Sequence, residues 1–463
     1  MTPVLEFDTP MTRAELRASL SLAAIYMLRM LGMFLILPVF AVLARDLPDA
    51  TPFRVGLAIS AYGLTQALFQ IPFGLWSDRY GRKPVIAAGL VLFVLGSVVA
   101  ALSDSILGII AGRSLQGAGA VAAVVMALAA DLTREEHRTK TMALIGISIG
   151  MSFAVSMVAG PVLSRWMGLQ GLFWLISALA TLSLVVLFAV VPNPPASRSH
   201  RDTQLRSASL ARVLRDAELL RLDFGIFCLH LILTATFVVV PLIIKDRLHL
   251  PTEDHWHLYL PVFLIAILGM VPFVILAEKK RRMKPVFLAF VALVGLANLG
   301  FIGLGESFWG MFVLLTAFFT GFNLLEATLP SMISKIAPPD LKGTAMGVYS
   351  TAQFLGAFAG GAGAGWIYGH AGATAVFVYA AVVAFAWLAV AAFMQAPRHL
   401  SSLLVNVEGI GAAQSEALGQ RLLAVPGVAE AVVVAEDGVA YLKVDRQLLD
   451  RERLKLAFAS LGG

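Results

Sequence analysis

Eight polar or ionisable side chains interrupt otherwise apolar stretches of this sequence, and their types define the chemistry to expect. Carboxyl and imidazole groups can carry protons, while guanidinium and amide groups donate hydrogen bonds. A charged group inside a long apolar stretch costs roughly 2.5–3.5 kcal/mol on membrane-insertion scales, so such residues are functional candidates by default. The candidates are Arg29, Gln66, Gln70, Arg113, Gln116, His230, Asn323 and Glu326.

Glu326 is the carboxylate that lies deepest in such a stretch, and Asn323 precedes it by one helical turn. A carboxyl group surrounded by apolar atoms can take up and release a proton near neutral pH. If a cationic solute competes for the same carboxylate, proton and solute exclude each other, which is antiport in its simplest form. We therefore expect Glu326 to carry an exchanged proton. One alternative is that Glu326 forms a structural ion pair with Arg29 or Arg113. A further alternative is that His230, rather than Glu326, is the titrating group.

Arg29 and Arg113 are the two arginines within apolar stretches, and we expect them to bind substrate or to take part in coupling. The alternative is that they satisfy backbone carbonyl groups or Glu326. Gln66 and Gln70 are spaced four residues apart, which places both amides on one face of a helix.

The stretches that carry these residues are long enough to cross a bilayer. A membrane-spanning helix needs about 20 predominantly apolar residues, whereas barrel strands alternate over about 10 residues. A basic segment from Pro192 to Arg221 divides the runs six and six. The runs cover 17–43, 54–77, 84–102, 106–131, 139–165, 171–192, 222–245, 257–277, 285–304, 308–336, 342–369 and 373–395.

The composition agrees with a membrane protein. Of 463 residues, 59% are hydrophobic and 14% charged, against about 25% charged in soluble domains. This balance excludes a soluble enzyme, a nucleic-acid-binding protein and a disordered chain, and the single Cys228 excludes an internal disulfide. Nineteen Lys and Arg residues fall in one set of loops and five in the other. The positive-inside rule then predicts that both termini are cytoplasmic.

Three histidines, His249, His255 and His257, cluster in one outer loop near Glu253 and Asp254. A metal site needs ligands of defined geometry, and this segment is more typical of a solvated loop. We therefore predict neither a metal site nor a cofactor. The expected energy source is a proton gradient.

The chain changes character after Pro397. In residues 398–463, 15 of 66 side chains are charged, against 49 of the other 397. The segment predicts a strand (402–407), a helix (414–423), two strands (431–436 and 439–444) joined by a turn at Asp437-Gly438, and a helix (448–461). An Asp-Gly pair between apolar runs is a strong hairpin signal. The order predicts a small α+β ferredoxin-like βαββα domain.

The loop between the second and third runs carries the most specific motif of the chain. Its residues 74–84 read GLWSDRYGRKP and agree at every fixed position with motif A of the major facilitator superfamily, G-x-x-x-D-R-x-G-R-[KR]-P. A degenerate copy of this motif, residues 278–285, lies between the eighth and ninth runs. A parallel repeat of two six-span halves would place a second copy there. Residues 113–119 resemble the family's motif B. Gly160-Pro161 resembles the antiporter motif C, without the glycine pair that usually follows.

The chain therefore resembles major facilitator transporters of the drug:proton antiporter type over residues 12–396. The resemblance implies a conformational lock that joins the two halves on the inner side in the outward-facing state. In it, Asp78 meets the start of the eleventh span and Arg82 pairs with an acid at the inner end of the fourth. The implied lock residues are Gly74, Asp78, Arg79, Gly81, Arg82, Asp131 and Gly343. Many such antiporters place an acid in the first span, where this chain has Arg29.

These observations predict an all-α membrane protein with a twelve-span major facilitator fold and a cytoplasmic α+β domain. The predicted parts are an N-terminal bundle (12–192), a linker (193–221), a C-terminal bundle (222–396) and the small domain (398–463). We expect a proton-coupled, multidrug-type exporter of the bacterial inner membrane that works by alternating access, and not an enzyme. The alternatives are a proton symporter that imports a small solute and a membrane sensor without transport. Expected partners are a small-molecule substrate, the lipid bilayer and a regulator or ligand at 398–463, with no nucleic acid and a monomeric chain.

Overall fold

The computed structural model describes residues 10–193, 207–338, 341–395, 401–407, 412–434, 439–445 and 448–459. Helices dominate up to Ala392, and three strands with two helices follow. The helices are α1 (Arg13–Phe34), α2 (Phe40–Ala44), α3 (Pro52–Tyr80), α4 (Arg82–Ala101), α5 (Ile106–Ala118), α6 (Ala122–Asp131), α7 (Glu135–Ala189), α8 (Ser207–Val213), α9 (Ala217–Asp246), α10 (Trp256–Lys279), α11 (Met283–Leu304), α12 (Phe308–Ile336), α13 (Lys342–Ala392), α14 (Ala412–Leu423) and α15 (Arg451–Ala459). The strands are β1 (Ser401–Asn406), β2 (Val428–Val434) and β3 (Val439–Val444).

The twelve predicted spans all have helical counterparts. Nine helical stretches of the described residues are long and apolar enough to cross a membrane. Two of them, α7 and α13, are 55 and 51 residues long, about twice what one crossing needs. Each is interrupted by a glycine with positive φ, Gly168 at 61° and Gly372 at 75°, so each provides two spans. The remaining span is α3, which is not among these nine stretches. Its polar residues Gln66 and Gln70 lower the mean hydropathy of the helix.

The fourth predicted span is not one continuous helix, since α5 ends at Ala118 and α6 begins at Ala122. A Cβ on Gly119 would lie 2.2 Å from the Gly89 carbonyl oxygen, so glycine is needed for this close backbone approach. Because the helix is interrupted, the Gly119 carbonyl is available to another partner. It accepts a hydrogen bond from Arg29 Nη2 at 3.3 Å.

Glycines also let α13 approach two other helices. Cβ atoms on Gly356 and Gly360 would lie 2.1 and 2.2 Å from the carbonyl oxygens of Phe227 and Leu231 in α9. The contact moves four residues forward along α13, from Gly356 to Gly360, as it moves four residues forward along α9, from Phe227 to Leu231. α9 and the first half of α13 therefore run parallel. Such small residues allow helices to pack closely in a membrane, where van der Waals contact drives association.

The predicted linker 193–221 contains α8 and the first turn of α9, while residues 194–206 lie outside the described part of the chain. Asp216 caps α9, because its side chain accepts hydrogen bonds from the backbone of Glu218 and Leu219. An acidic N-cap also interacts favourably with the helix dipole.

The C-terminal domain has the predicted βαββα order. Its three strands form an antiparallel sheet in the order β1-β3-β2. The core includes Leu418, Leu422, Leu442, Leu454 and Phe458, all nearly inaccessible to solvent. The predicted turn at Asp437-Gly438 lies outside the described residues. β2 begins at Val428, before its predicted start at 431, since the chain extends directly from the Pro426-Gly427 turn, and its predicted end at 436 lies outside the described residues.

Candidate functional site

Arg29 forms the centre of a buried polar network in the N-terminal half. It lies in α1 and is only 2% exposed. Its Nη2 donates to the Tyr62 hydroxyl at 2.6 Å and to Gln66 Oε1 at 2.7 Å. Gln66 Nε2 in turn lies 3.4 Å from Gln70 Oε1, one turn along α3. Arg29 Nε and Nη1 have no hydrogen-bond partner within the described part of the chain.

A second buried guanidinium lies on the other side of Tyr62. Arg113 in α5 donates to Gln116 Oε1 at 2.8 Å and to the carbonyl oxygens of Ala58 and Ile59 at 3.3 and 3.2 Å. The centres of both guanidinium groups lie within 6 Å of the Tyr62 ring, at 5.9 Å for Arg29 and 5.1 Å for Arg113. Both guanidinium groups therefore lie within cation–π distance of one ring.

The C-terminal half carries a matching group of proton-binding side chains. Gln353 of α13 donates through Nε2 to His230 Nε2 of α9 at 2.8 Å and lies 3.4 Å from Glu326 Oε1 of α12. Glu326 Oε2 lies 3.8 Å from His230 Nε2. The side chain of Glu326 is 34% exposed and that of His230 is 14% exposed. Three helices therefore converge on one partly exposed glutamate side chain whose Oε2 is buried.

The predicted residues of the two halves thus form two separate networks. Glu326 makes no ion pair with Arg29 or Arg113, and its titratable neighbour among the described residues is His230. The alternative of a structural ion pair between Glu326 and Arg29 or Arg113 is therefore absent from the conformation described. Asn323 lies one turn from Glu326, and its Nδ2 is buried without a partner in the described ranges.

The motif A segment brings three of its predicted residues together. Arg82 Nε donates to Asp131 Oδ2 at 3.0 Å, and Arg82 Nη1 bonds to both Asp78 and Ser77. Gly81 has φ 93°, a conformation that L side chains rarely adopt, and it separates α3 from α4. Asp131 is the last residue of α6. One guanidinium therefore links the ends of three helices.

Three other predicted lock residues stand apart from this cluster. A Cβ on Gly74 or Gly343 would meet nothing within 4 Å among the described residues. Arg79 lies over the ring of its neighbour Tyr80, at 5.3 Å. Neither glycine therefore marks a close helix contact in the conformation described.

The opposite end of the two halves is closed. A Cβ on Gly56, near the start of α3, would lie 2.2 Å from the Gly361 carbonyl oxygen and 2.9 Å from Gly365 Cα. Arg45 and Asp246 form an ion pair of 2.7 Å across the same end. The halves therefore meet where α3 begins, whereas Gly74 near its end and Gly343 at the start of α13 have open space beside them.

Four polar residues of these networks escaped the sequence analysis. Tyr62 and Gln353 are uncharged, and nothing in their local sequence marks them as network members. Asp223 falls at the edge of the seventh predicted run, yet it is only 5% exposed. It lies seven residues before His230, two turns down the same face of α9, a spacing that could have indicated it. Tyr349 lies one turn from Gln353 on α13.

Within the described ranges, no group of three or more His, Cys, Asp or Glu residues is arranged to hold a metal ion. His255 lies buried at the start of α10, where its Nε2 lies 3.2 Å from the Leu250 carbonyl oxygen. His257 is half-exposed beside Asp254.

Sequence comparison finds matches along nearly the whole chain. The model of the Major Facilitator Superfamily matches residues 22–361 and 222–434. The Inner membrane transport protein YajR of Escherichia coli (strain K12) is 47% identical over 450 residues, which cover 97% of this chain and 99% of that protein. The Multidrug resistance protein MdtH of Aeromonas salmonicida (strain A449) is 26% identical, covering 75% of this chain and 86% of that protein.

Structure comparison agrees on the fold. A crystal structure of a D-xylose-proton symporter aligns with a TM-score of 0.64 at 15% identity, covering 83% of this chain and 98% of that chain. At this identity the likeness concerns the fold alone. The resemblance to the major facilitator superfamily inferred from motif A is thus confirmed, as is the fold class.

Proposed function

Because the chain belongs to the Major Facilitator Superfamily, we propose that it is a proton-coupled exporter of a small molecule that works by alternating access. Family membership makes it a multi-pass membrane transporter rather than an enzyme. The name of the relative YajR supports an inner membrane location for this chain also. Both termini are then cytoplasmic, and the open end of the two halves faces the cytoplasm.

The observation that carries the proposal is the position of Glu326. Its side chain is partly exposed, its Oε1 lies 3.4 Å from the Gln353 amide, its Oε2 is buried 3.8 Å from His230 Nε2, and it has no Lys or Arg partner among the described residues. A carboxylate in such surroundings gains stability either by binding a proton or by binding a cationic or hydrogen-bond-donating cargo. Proton and cargo then compete for one group, which couples their movements in opposite directions.

Alternating access needs two ends that open in turn, and the two ends here are built differently. The closed end combines glycine contacts with the Arg45–Asp246 ion pair. At the open end, Arg82, Asp78 and Asp131 are already assembled, so a movement of the start of α13 towards Asp78 would complete the lock. A carboxylate at a helix N-terminus is stabilised by the free N–H groups and the helix dipole.

Export as the direction is supported by two features. The name of the relative MdtH is that of a multidrug resistance protein. Gly160, of the motif C-like pair in α7, packs against α1 so closely that a Cβ would lie 2.3 Å from the Leu35 carbonyl oxygen. That contact fixes the first and fifth spans to each other near the end that is closed.

Symport is the second candidate, and the N-terminal network favours it. Arg29 and Arg113 are buried without an acidic partner among the described residues. An anionic cargo at these groups would be favoured when Glu326 is protonated, because the positive charges are then least compensated. Proton and anion would then move together.

The C-terminal domain is proposed to act as a regulatory module. Arg281 donates to Asp445 at 2.8 Å, and Lys443 Nζ donates to the Lys335 carbonyl oxygen at 3.1 Å. These contacts join the domain to the segment after α10 and to the end of α12. The proposed unit is a monomer, and its energy source is the proton gradient without a cofactor.

The test begins with a thermal-shift ligand screen of the purified protein, followed by flux measurements of the hits in vesicles with an imposed pH gradient. We expect Glu326→Gln to abolish the pH dependence of ligand binding, because proton and cargo no longer compete for a carboxylate, and to lose gradient-driven flux. The exposed loop residue Glu306 provides a matched control, since Glu306→Gln leaves the cavity unchanged. Gradient-driven flux that survives Glu326→Gln contradicts the assignment, and binding without any flux in the unmodified protein indicates a sensor. If an inwardly directed proton gradient drives accumulation of the solute inside the vesicles, solute and protons move in the same direction and the protein is a symporter.

A further inference from the structure

A cleft opens between α10 and α11 in the C-terminal half, and α12 forms its remaining wall. Its volume is about 360 Å³. α10 contributes Phe273, α11 contributes Leu293, and α12 contributes Val313 and Ala317. Phe273 is 41% exposed and Val313 is 61% exposed. The cleft is therefore open along one side rather than enclosed.

The cleft does not belong to the proposed proton site. Ala317 precedes Glu326 by nine residues on α12, which is about two and a half helical turns. The two side chains therefore lie on opposite sides of the helix. α10, α11 and α12 are all long and apolar enough to cross a membrane. The open side of the cleft thus faces the bilayer, and its occupant must come from the bilayer.

The lining of the cleft is apolar except for two threonines of α12, Thr316 and Thr320. Both hydroxyl protons are used within the helix. The Thr316 hydroxyl donates to the Phe312 carbonyl oxygen at 2.7 Å, and the Thr320 hydroxyl donates to the Thr316 carbonyl oxygen at 2.6 Å. A polar occupant would lose its hydrogen bonds to water without replacing them. A hydrocarbon chain is the occupant that suits this lining.

Two exposed cations lie at the predicted cytoplasmic end of the cleft. Residues 280–282 join α10 to α11, the two helices that form its sides. Lys280 follows Phe273 by seven residues and Arg282 precedes Leu293 by eleven, so each cation lies two or three turns from the cleft on the same side of its helix. Both are exposed, and neither has a hydrogen bond or an ion pair within the described part of the chain.

The spacing between these cations and the cleft matches the dimensions of a phospholipid. At 1.5 Å per residue, Lys280 lies about 10 Å from Phe273 along the helix axis, and Arg282 lies about 16 Å from Leu293. Half of the hydrocarbon core of a bilayer is about 15 Å thick. A phosphate group held by the two cations at the membrane surface therefore places its acyl chain at the depth of the cleft.

We propose that the cleft and the turn at 280–282 bind an anionic phospholipid of the cytoplasmic leaflet. Lys280 and Arg282 hold the headgroup phosphate, and one acyl chain passes over the exposed ring of Phe273 into the cleft. Basic residues next to a membrane span attract anionic lipids. A lipid with net negative charge is favoured over a zwitterionic one because the two cations have no counter-charge among the described residues. The site is separate from Glu326, so it does not rest on the proposed export.

Native mass spectrometry of the full chain in detergent tests the headgroup contact. The probes are dioleoyl phosphatidylglycerol, which is anionic, and dioleoyl phosphatidylcholine, which is zwitterionic. We expect the chain to retain the anionic lipid preferentially. We expect Arg282→Gln to weaken that binding by about fivefold, the factor that corresponds to about 1 kcal/mol per basic residue at an anionic surface. Equal retention of both lipids by the unmodified chain would contradict the site.

Lys284→Gln is the matched control for Arg282→Gln, since each substitution removes one positive charge from the same segment. Lys284 likewise has no partner within the described ranges. It precedes Leu293 by nine residues, however, and so lies on the opposite side of α11 from the cleft. We expect Lys284→Gln to leave lipid retention unchanged. An equal loss in both variants would mean that net charge attracts the lipid, and it would overturn the assigned headgroup contact.

Filling the cleft tests the acyl-chain contact. Ala317→Phe places a ring inside the cleft, and Val313→Trp does so from its exposed side. We expect both variants to bind dioleoyl phosphatidylglycerol no better than dihexanoyl phosphatidylglycerol, which has the same headgroup but chains too short to fill the cleft. Ala289→Phe is the control, because Ala289 is exposed on α11 outside the cleft. Undiminished binding of the dioleoyl lipid in both filled variants would overturn the site. These measurements need no transported substrate, so their outcome is independent of the flux assay.

Discussion

Arg45 Nη1 lies 2.7 Å from Asp246 Oδ2 and 2.9 Å from Asp246 Oδ1, so a single guanidinium group joins the two halves of the transporter at their closed end. Arg45 follows the first span and Asp246 ends the seventh. The side chains are 36% and 45% exposed, and exposed pairs contribute about 0.2–1 kcal/mol. The pair therefore biases the conformational equilibrium without fixing it.

Breaking this pair should favour opening of the closed end. We expect Asp246→Arg to shift the equilibrium by at most about fivefold, the factor that corresponds to 1 kcal/mol, and Arg45→Asp in the same chain to restore it. Distances between spin labels on the two halves, in a Cys228→Ala background, report the populations. Arg54 is the matched control, because it lies 4.0 Å from Asp49 at the same end but within one half. An equal shift in Arg54→Asp would mean that net charge rather than the cross-half pair sets the balance.

A methyl group at Gly56 should prevent closure of the same end. Its Cβ would lie 2.2 Å from the Gly361 carbonyl oxygen, and backbone of a packed helix cannot move aside cheaply. We expect Gly56→Ala to hold the halves apart there, with increased thiol labelling of engineered cysteines and loss of flux. Gly303→Ala is the control, since that Cβ would meet nothing within 4 Å of the described chain. Normal labelling in Gly56→Ala would contradict the closed contact.

Gln66 should stabilise the fold through Arg29. The Gln66 amide oxygen accepts from a buried guanidinium group at 2.7 Å, and hydrogen bonds to charged groups contribute about 1.5–3 kcal/mol. We expect Gln66→Leu to lower the free energy of unfolding by about that amount, measured as a lower thermal midpoint. Gln70→Leu should cost less, because the hydrogen bond of Gln70 within the described part of the chain is to the neutral Gln66 amide, at 3.4 Å. Equal losses in both variants would refute the role of the Arg29 contact.

Asp78 should matter for turnover more than for stability. In the conformation described, Arg82 keeps Asp131 as a partner at 3.0 Å, so Asp78→Asn should fold normally. Loss of a carboxylate at a helix N-terminus removes about 0.3–1 kcal/mol, so a lock formed only in the other conformation predicts a roughly twofold to fivefold slower flux. The exposed loop residue Asp104 serves as control through Asp104→Asn. A lower thermal midpoint with unchanged flux would assign Asp78 to folding instead.

The C-terminal domain should detach when its charge contact is reversed. Arg281 lies 2.8 Å from Asp445, and the two side chains are 38% and 15% exposed. We expect Arg281→Asp to speed limited proteolysis after Pro397, and Asp445→Arg in the same chain to slow it again. Flux measured in parallel tests regulation, since a detached domain that changes neither flux nor stability is a passive appendage. Deletion of residues 398–463 gives the limiting case.

Much of the architecture follows from local sequence. Span length and apolarity are properties of about 20 consecutive residues, so all twelve spans could be predicted, and the βαββα order follows from short patterns and a turn signal. The interruption at Gly119 could not, because it depends on the backbone of Gly89 in another helix. Glu326 could be singled out by its type alone, whereas Asp223 was missed at the edge of a run.

Twelve membrane spans, motif A and a small α+β domain could all be predicted from the sequence, because each depends on composition and residue spacing. Which polar groups meet depends on the tertiary structure. Gln353 bonds His230 across 123 residues and Arg45 bonds Asp246 across 201. Such contacts depend on how each helix is rotated and crossed against its neighbours, and neither property is encoded within one span. That is why the separation of Arg29 from Glu326, and the closed end, emerged only in three dimensions.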